Sequence, residues 1–124
     1  MATIIPTFRY DDARAALNFL RDAFGFEEHA VHADGDGVVR HAELKLSDSY
    51  IMISQAAGES SVELPYGATT IYVVVDDPDA HHDHAVAAGA EIVMELTDQE
   101  YGSREYAAKD PGGNAWCFGT YAPR

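Results

Sequence analysis

A single cysteine, Cys117, is all the thiol chemistry in this chain of 124 residues. One thiol closes no internal disulfide and builds no structural zinc site unaided. Set among apolar and aromatic neighbours, it reads first as a small core residue. Cations are scarce as well. Lys and Arg number 8 against 21 Asp and Glu, a formal net charge of -13. Such a surface repels nucleic-acid phosphates and anionic membranes, so neither is an expected partner. It says less about a small ligand, because one basic group can dominate inside a cleft. Long apolar runs are missing too: none approaches the roughly eighteen residues that a membrane span needs. The opening Met-Ala-Thr-Ile-Ile-Pro has no basic region followed by an apolar stretch. The expected location is therefore the cytoplasm.

What is present is a core. The chain is 47% hydrophobic, too high for a disordered polymer, and its length fits one domain over residues 1–124. Ile4 to Tyr10 is apolar and β-prone and reads as a first strand. Asp11 and Asp12 are N-cap residues; Ala16, Leu17, Phe19, Leu20 and Phe24 follow at helical spacing, and Gly25 stops the helix. Strands are expected over Phe26 to Ala33, Val38 to Leu46 and Tyr50 to Ser54. Asp34-Gly35-Asp36-Gly37 turns the first pair. Ala56 to Gly67 lacks periodicity and reads as a linker or loop.

The same order then returns. Thr69 to Val75 is a β-branched strand, and Asp76-Asp77-Pro78 opens a helix that Gly89 ends. Strands follow over Glu91 to Leu96, Arg104 to Lys109 and Asn114 to Tyr121, with Thr97 to Gly102 as a polar loop. Asp110-Pro111-Gly112-Gly113 is a hairpin turn, lacking the glycine spacing of a phosphate loop. Phe8-Arg9-Tyr10-Asp11-Asp12 matches Val73-Val74-Val75-Asp76-Asp77, and Ala23-Phe24-Gly25-Phe26-Glu27 matches Ala87-Ala88-Gly89-Ala90-Glu91. The expectation is an α+β fold of two βαβββ modules, 4–55 and 69–121, joined by a linker at 56–68. Each module alone has little core. Two sheets facing each other would enclose a cleft for a small organic molecule.

The ordered set of these pieces resembles the vicinal-oxygen-chelate superfamily, which includes glyoxalase I, extradiol dioxygenases and bleomycin-resistance proteins. Its carriers also include His41-Ala42-Glu43-Leu44 and, most specifically, Tyr101-Gly102-Ser103-Arg104-Glu105 followed by Lys109-Asp110-Pro111-Gly112-Gly113-Asn114-Ala115-Trp116. The resemblance implies a curved sheet around a cleft and a homodimer. Metal-dependent members place one ligand on the first and last strand of each module. Here those positions fall on Ile5, Met52 or its neighbour Ile53, Thr70 and Cys117. That set is a poor home for a hard divalent cation, so no metal and no other cofactor is expected.

Other chemistry remains. His41 and Glu43 alternate on one strand and share a face, with Lys45 beyond them. Arg104 and Tyr106 are taken as their second-module counterparts. Arg104 can grip a carboxylate or phosphate; His41 can act as a general base, with Glu43 orienting it. Trp116 offers a flat platform, Thr70 a hydroxyl, and Tyr101 and Tyr66 sit in loops where they can cover a pocket mouth. A solvated strand face is the plainer reading of the charged residues. His81, His82 and His84 read as ordinary helix residues, since no His-Glu-x-x-His frame accompanies them. Two functions follow. The first is a binding protein of the bleomycin-resistance type, holding or sequestering a small ligand without metal. The second is a lyase, isomerase or dioxygenase resembling glyoxalase, with an unusual centre using His41, Glu43 and Arg104.

Overall fold

A computed structural model describes residues 2–56 and 67–123. The expected linker and Tyr66 fall largely outside the described residues. In chain order the elements are β1 (Thr7–Tyr10), α1 (Ala13–Phe24), β2 (Glu27–Ala33), β3 (Val39–Leu46) and β4 (Ser49–Gln55). Then come β5 (Thr70–Val74), α2 (Pro78–Ala87), β6 (Glu91–Asp98), β7 (Arg104–Lys109) and β8 (Ala115–Gly119). Strand–helix–three strands occurs twice, as the repeat predicts. Among the described residues, no helix is long and apolar enough to cross a membrane.

Each module makes its own four-stranded mixed sheet, ordered β1-β4-β3-β2 and β5-β8-β7-β6. The first strand of each runs parallel to the last, and the other pairs are antiparallel. β1 is shorter than expected and begins after Pro6, which has no N–H to give a ladder; its carbonyl still accepts from Met52 N at 3.0 Å. β6 is longer than expected, running to Asp98, with irregular register on the way.

The first compact unit holds β1, α1 as far as Arg21, and β2 to β4. Asp12 caps α1, its carboxylate accepting from Ala15 N at 3.0 Å. Gly25 ends it at φ +86°, a conformation that a side chain would resist, and donates to Leu20 O. Ala13, Ala16, Leu17 and Leu20 are fully buried on one helix face. Ala42, Leu44, Ile51, Ile53, Phe8 and Tyr10 form the buried side of the sheet.

The second unit holds β5, α2 and β6 to β8, together with Asp22–Phe24 from the end of α1. Asp77 caps α2 by accepting from Ala80 N at 3.1 Å, and Pro78 occupies the first turn. An aromatic layer forms its core. Phe118 meets Phe24 edge-on at 4.9 Å, and stacks on His81 at 4.1 Å and on Tyr106 at 5.3 Å. Phe24 also meets Trp116 at 5.6 Å. Trp116, Tyr106 and Phe118 are at most 1% exposed.

One turn fixes the register of this sheet. Asp110 carboxylate accepts from Gly112 N at 2.9 Å, Asn114 N at 3.0 Å and Trp116 Nε1 at 2.9 Å. Asn114 returns the favour to the chain, its amide oxygen accepting from Thr69 N at 3.0 Å. The β7–β8 turn is thereby tied both to the core tryptophan and to the start of β5.

Candidate functional site

Each sheet has one face packed in the core and one turned away from it. In the first module the second kind of face carries His41, Glu43 and Lys45 from β3, opposite Ser54, Met52 and Tyr50 of β4. These side chains are partly exposed. His41 stacks on His32 at 6.1 Å, His29 Nε2 lies 3.9 Å from Glu43, and Lys45 Nζ sits 5.9 Å over the Tyr50 ring. His41 and Glu43 therefore share a face as their alternation predicts.

The register between the modules corrects the sequence reading of the second half. Thr7 pairs with Met52 and Tyr72 with Cys117; Glu43 pairs with Met52 and Ala107 with Cys117. His41 pairs with Ser54 two residues on, as Glu105 pairs with Gly119. The counterpart of His41 is thus Glu105, one residue along from the expected Arg104. Slipping by one residue reverses every side chain on a strand. Arg104 and Tyr106 accordingly face α2. Tyr106 is fully buried, and Trp116 is 1% exposed with its indole N–H given to Asp110. Neither has surface to offer a ligand. Arg104 is held by Asp79 of α2, at 2.6 Å, and by Asp98, at 3.1 Å, which push its guanidinium pKa further up. The same register settles the position left open between Met52 and Ile53: Ile53 is fully buried, and Met52 lies on the other face.

The face of the second sheet turned away from α2 holds the most developed polar arrangement. Thr70 and Tyr72 come from β5, Ala115, Cys117 and Gly119 from β8, and Glu105 and Ala107 from β7. Glu105 is only 4% exposed, unusual for a carboxylate. Tyr101 donates to its Oε1 at 2.8 Å and Tyr72 to its Oε2 at 3.1 Å. Tyr121 N–H in turn donates to the Tyr72 hydroxyl at 3.0 Å and to Ser103 Oγ at 3.1 Å. The hydrogen bond to Glu105, then burial, push the Tyr101 hydroxyl up to about 12. Burial raises Tyr72 as well. Gly119 makes room for this cluster: a Cβ there would come within 2.5 Å of Glu105 Cγ.

Cys117 lies on the same face. Burial and then the charge of Glu105 push its pKa up. Thr70 offers a hydroxyl, Met52 a thioether, and Ile5 no donor atom. One thiol, one hydroxyl, one thioether and an alkyl side chain do not make a donor set for the divalent metal of a glyoxalase or extradiol dioxygenase. Among the described residues, no three His, Cys, Asp or Glu side chains are gathered to hold a metal ion.

The sequence pattern described as Glyoxalase/Bleomycin resistance protein/Dioxygenase superfamily matches residues 5–118. The chain belongs to that superfamily. An uncharacterized protein of Mycobacterium tuberculosis (strain ATCC 25618 / H37Rv) is 33% identical over 121 residues, covering 92% of this chain and 71% of that protein. TioX from Micromonospora sp. ML1 superposes with a TM-score of 0.84 at 28% identity, over 98% of this chain and 100% of TioX. Lactoylglutathione lyase from Agrobacterium tumefaciens shares the fold, with a TM-score of 0.71 at 20% identity, over 96% of this chain and 93% of that one.

Of the residues singled out in the sequence, the structure brings Thr70 and Tyr101 to this face. Glu105, Tyr72, Ser103 and Tyr121 were missed. The available signal was a charge, Glu105, between Arg104 and three apolar residues on a strand.

Proposed function

We propose that this superfamily member binds a small organic molecule and does so without the family's metal. The observation that carries this reading is the state of the last-strand ligand position. A single thiol, Cys117, stands there, beside a carboxylate whose two oxygens accept from tyrosine hydroxyls. This is a polar anchor beside small side chains, with one thiol where the family's metal ligand would stand. Specific binding needs only such a surface and a few placed polar groups. The face of the second sheet bearing Thr70, Tyr72, Tyr101 and Cys117 is the proposed binding surface.

A thermal-shift screen over varied organic compounds, run with a chelator and then with added divalent metals, tests it. The expected result is saturable stabilisation that survives chelation and leaves the compound unchanged. A ligand present at about a hundred times its Kd stabilises by roughly 2.7 kcal/mol, a readily measured shift. Stabilisation only with added metal, or conversion of the compound into product, would overturn the proposal.

A further inference from the structure

We infer that the ligand taken up at this face is an organic cation, such as a substituted ammonium, seated against Tyr101 and Tyr121 beside Glu105. The inference rests on the binding reading above and adds the ligand's chemical class.

Three features of the second module support it. First, two aromatic walls are exposed, and each is tethered at one point. The Tyr101 and Tyr121 rings lie 5.9 Å apart at 85°, forming a right-angled corner. They are 61% and 50% exposed, far more than core aromatics. Tyr101 is held by its hydroxyl on Glu105, and the Tyr121 backbone by Tyr72 and Ser103. A cation resting on a ring face gains from the ring quadrupole, and a prearranged corner loses little freedom on binding.

Second, a fixed negative charge lies one phenol away. Glu105 accepts one tyrosine hydroxyl on each oxygen, which leaves the carboxylate with lone pairs to spare. An approaching anion is repelled, and a neutral molecule gains only the aromatic walls.

Third, among the described residues of the module, the arginine is committed elsewhere and the lysine lies at the far end of a strand. Arg104, next in sequence to Glu105, points to the opposite face and is paired with Asp79 and Asp98. Lys109 shares the face of Glu105 but lies at the far end of β7, opposite Glu91 in the register. The overall charge of -13 also concentrates cations near the surface.

The test compares choline with 3,3-dimethyl-1-butanol, its uncharged carbon isostere, by ligand-observed NMR titration of the full chain at constant ionic strength. Choline is expected to bind roughly tenfold more tightly than the isostere. Glu105→Gln should reduce that preference, with choline losing more affinity than the isostere. Tyr121→Leu removes one wall at an exposed position near the chain end and should weaken choline at least several-fold. That variant carries the test if Glu105→Gln fails to fold. Equal binding of the two probes overturns the inference, as does choline binding that either folded variant leaves unchanged. If neutral compounds bind in the wider screen and choline does not, the cation inference fails and the binding reading stands. If nothing binds, both fail.

Discussion

His81 Nδ1 lies 2.5 Å from the Tyr106 hydroxyl, and its other ring nitrogen lies 3.3 Å from the Phe24 carbonyl. A neutral imidazole satisfies both: Nε2–H donates to the carbonyl, and Nδ1 accepts from the phenol. Burial, as its largest influence, holds the His81 pKa below the ordinary 6.5. The unfolded chain therefore takes up the extra proton first as pH falls. His81 contributes stability that is fully present above pH 6.5 and is lost as pH falls towards its lowered folded pKa. His82 acts in the opposite sense. Its hydrogen bond to Asp83 leads in raising its pKa, so its contribution is present below 6.5 and lost as pH rises. Urea midpoints measured against pH should show a flatter acid limb in His81→Phe than in the unaltered chain. Tyr106→Phe should cost about 1–3 kcal/mol by leaving Nδ1 unpartnered.

Gly119→Ala should destabilise by about 1–3 kcal/mol, because the new methyl must displace Glu105 and Tyr72 from a tightly filled space. The cost arises from crowding, so it should shrink when Tyr72→Ala is present as well. A double-mutant cycle by chemical denaturation measures this coupling, and simple additivity would contradict it.

Asp110→Ala should cost about 3 kcal/mol, since it removes a buried acceptor from Gly112, Asn114 and Trp116 at once. Tryptophan emission should change in the folded variant, because Trp116 is the only indole and loses its partner. An unaltered spectrum together with unaltered stability would contradict this account of the turn.

Tyr101 is expected to ionise near pH 12, against an ordinary 10, in an ultraviolet titration of the folded protein. Glu105→Gln should bring that transition back towards 10, because the carboxylate is the main cause of the shift. Tyr101→Phe should remove the transition altogether and so assign it.

Arg104→Ala should leave ligand affinity unchanged and shift the melting temperature only slightly. The ion pairs with Asp79 and Asp98 are solvent-screened, and added salt should erase what difference there is. Strong loss of ligand binding in this variant would return Arg104 to the binding surface.

The fold was legible because its signals are local. Asp12 and Asp77 cap the helices, Gly25 ends the first, and the turn at Asp110 is written in consecutive residues. Binary pattern also showed which residues share a face. It did not say which face of β7 is covered. Arg104 and Tyr106 alternate with Glu105 and Ala107, and a strand with a charge on each side gives no preference. Tertiary contacts decided the matter. Phe118 and His81 claim Tyr106, which leaves a carboxylate on the other side to be sheltered by tyrosines from β5 and from the turn before β7. Those partners are 33 and 4 residues away, and only the folded chain brings both to one carboxylate.

The period of two along β8 has a consequence for how this family can diversify. Trp116 and Phe118 face the core, while Ala115 and Cys117 face away, so neighbouring residues answer to different constraints. A substitution at Cys117 falls on the face away from the core and leaves the aromatic framework one position to either side in place. The same holds for Met52 beside the buried Ile51 and Ile53. Positions of the family's metal ligands can thus change on such a scaffold one at a time, each change tolerated by folding.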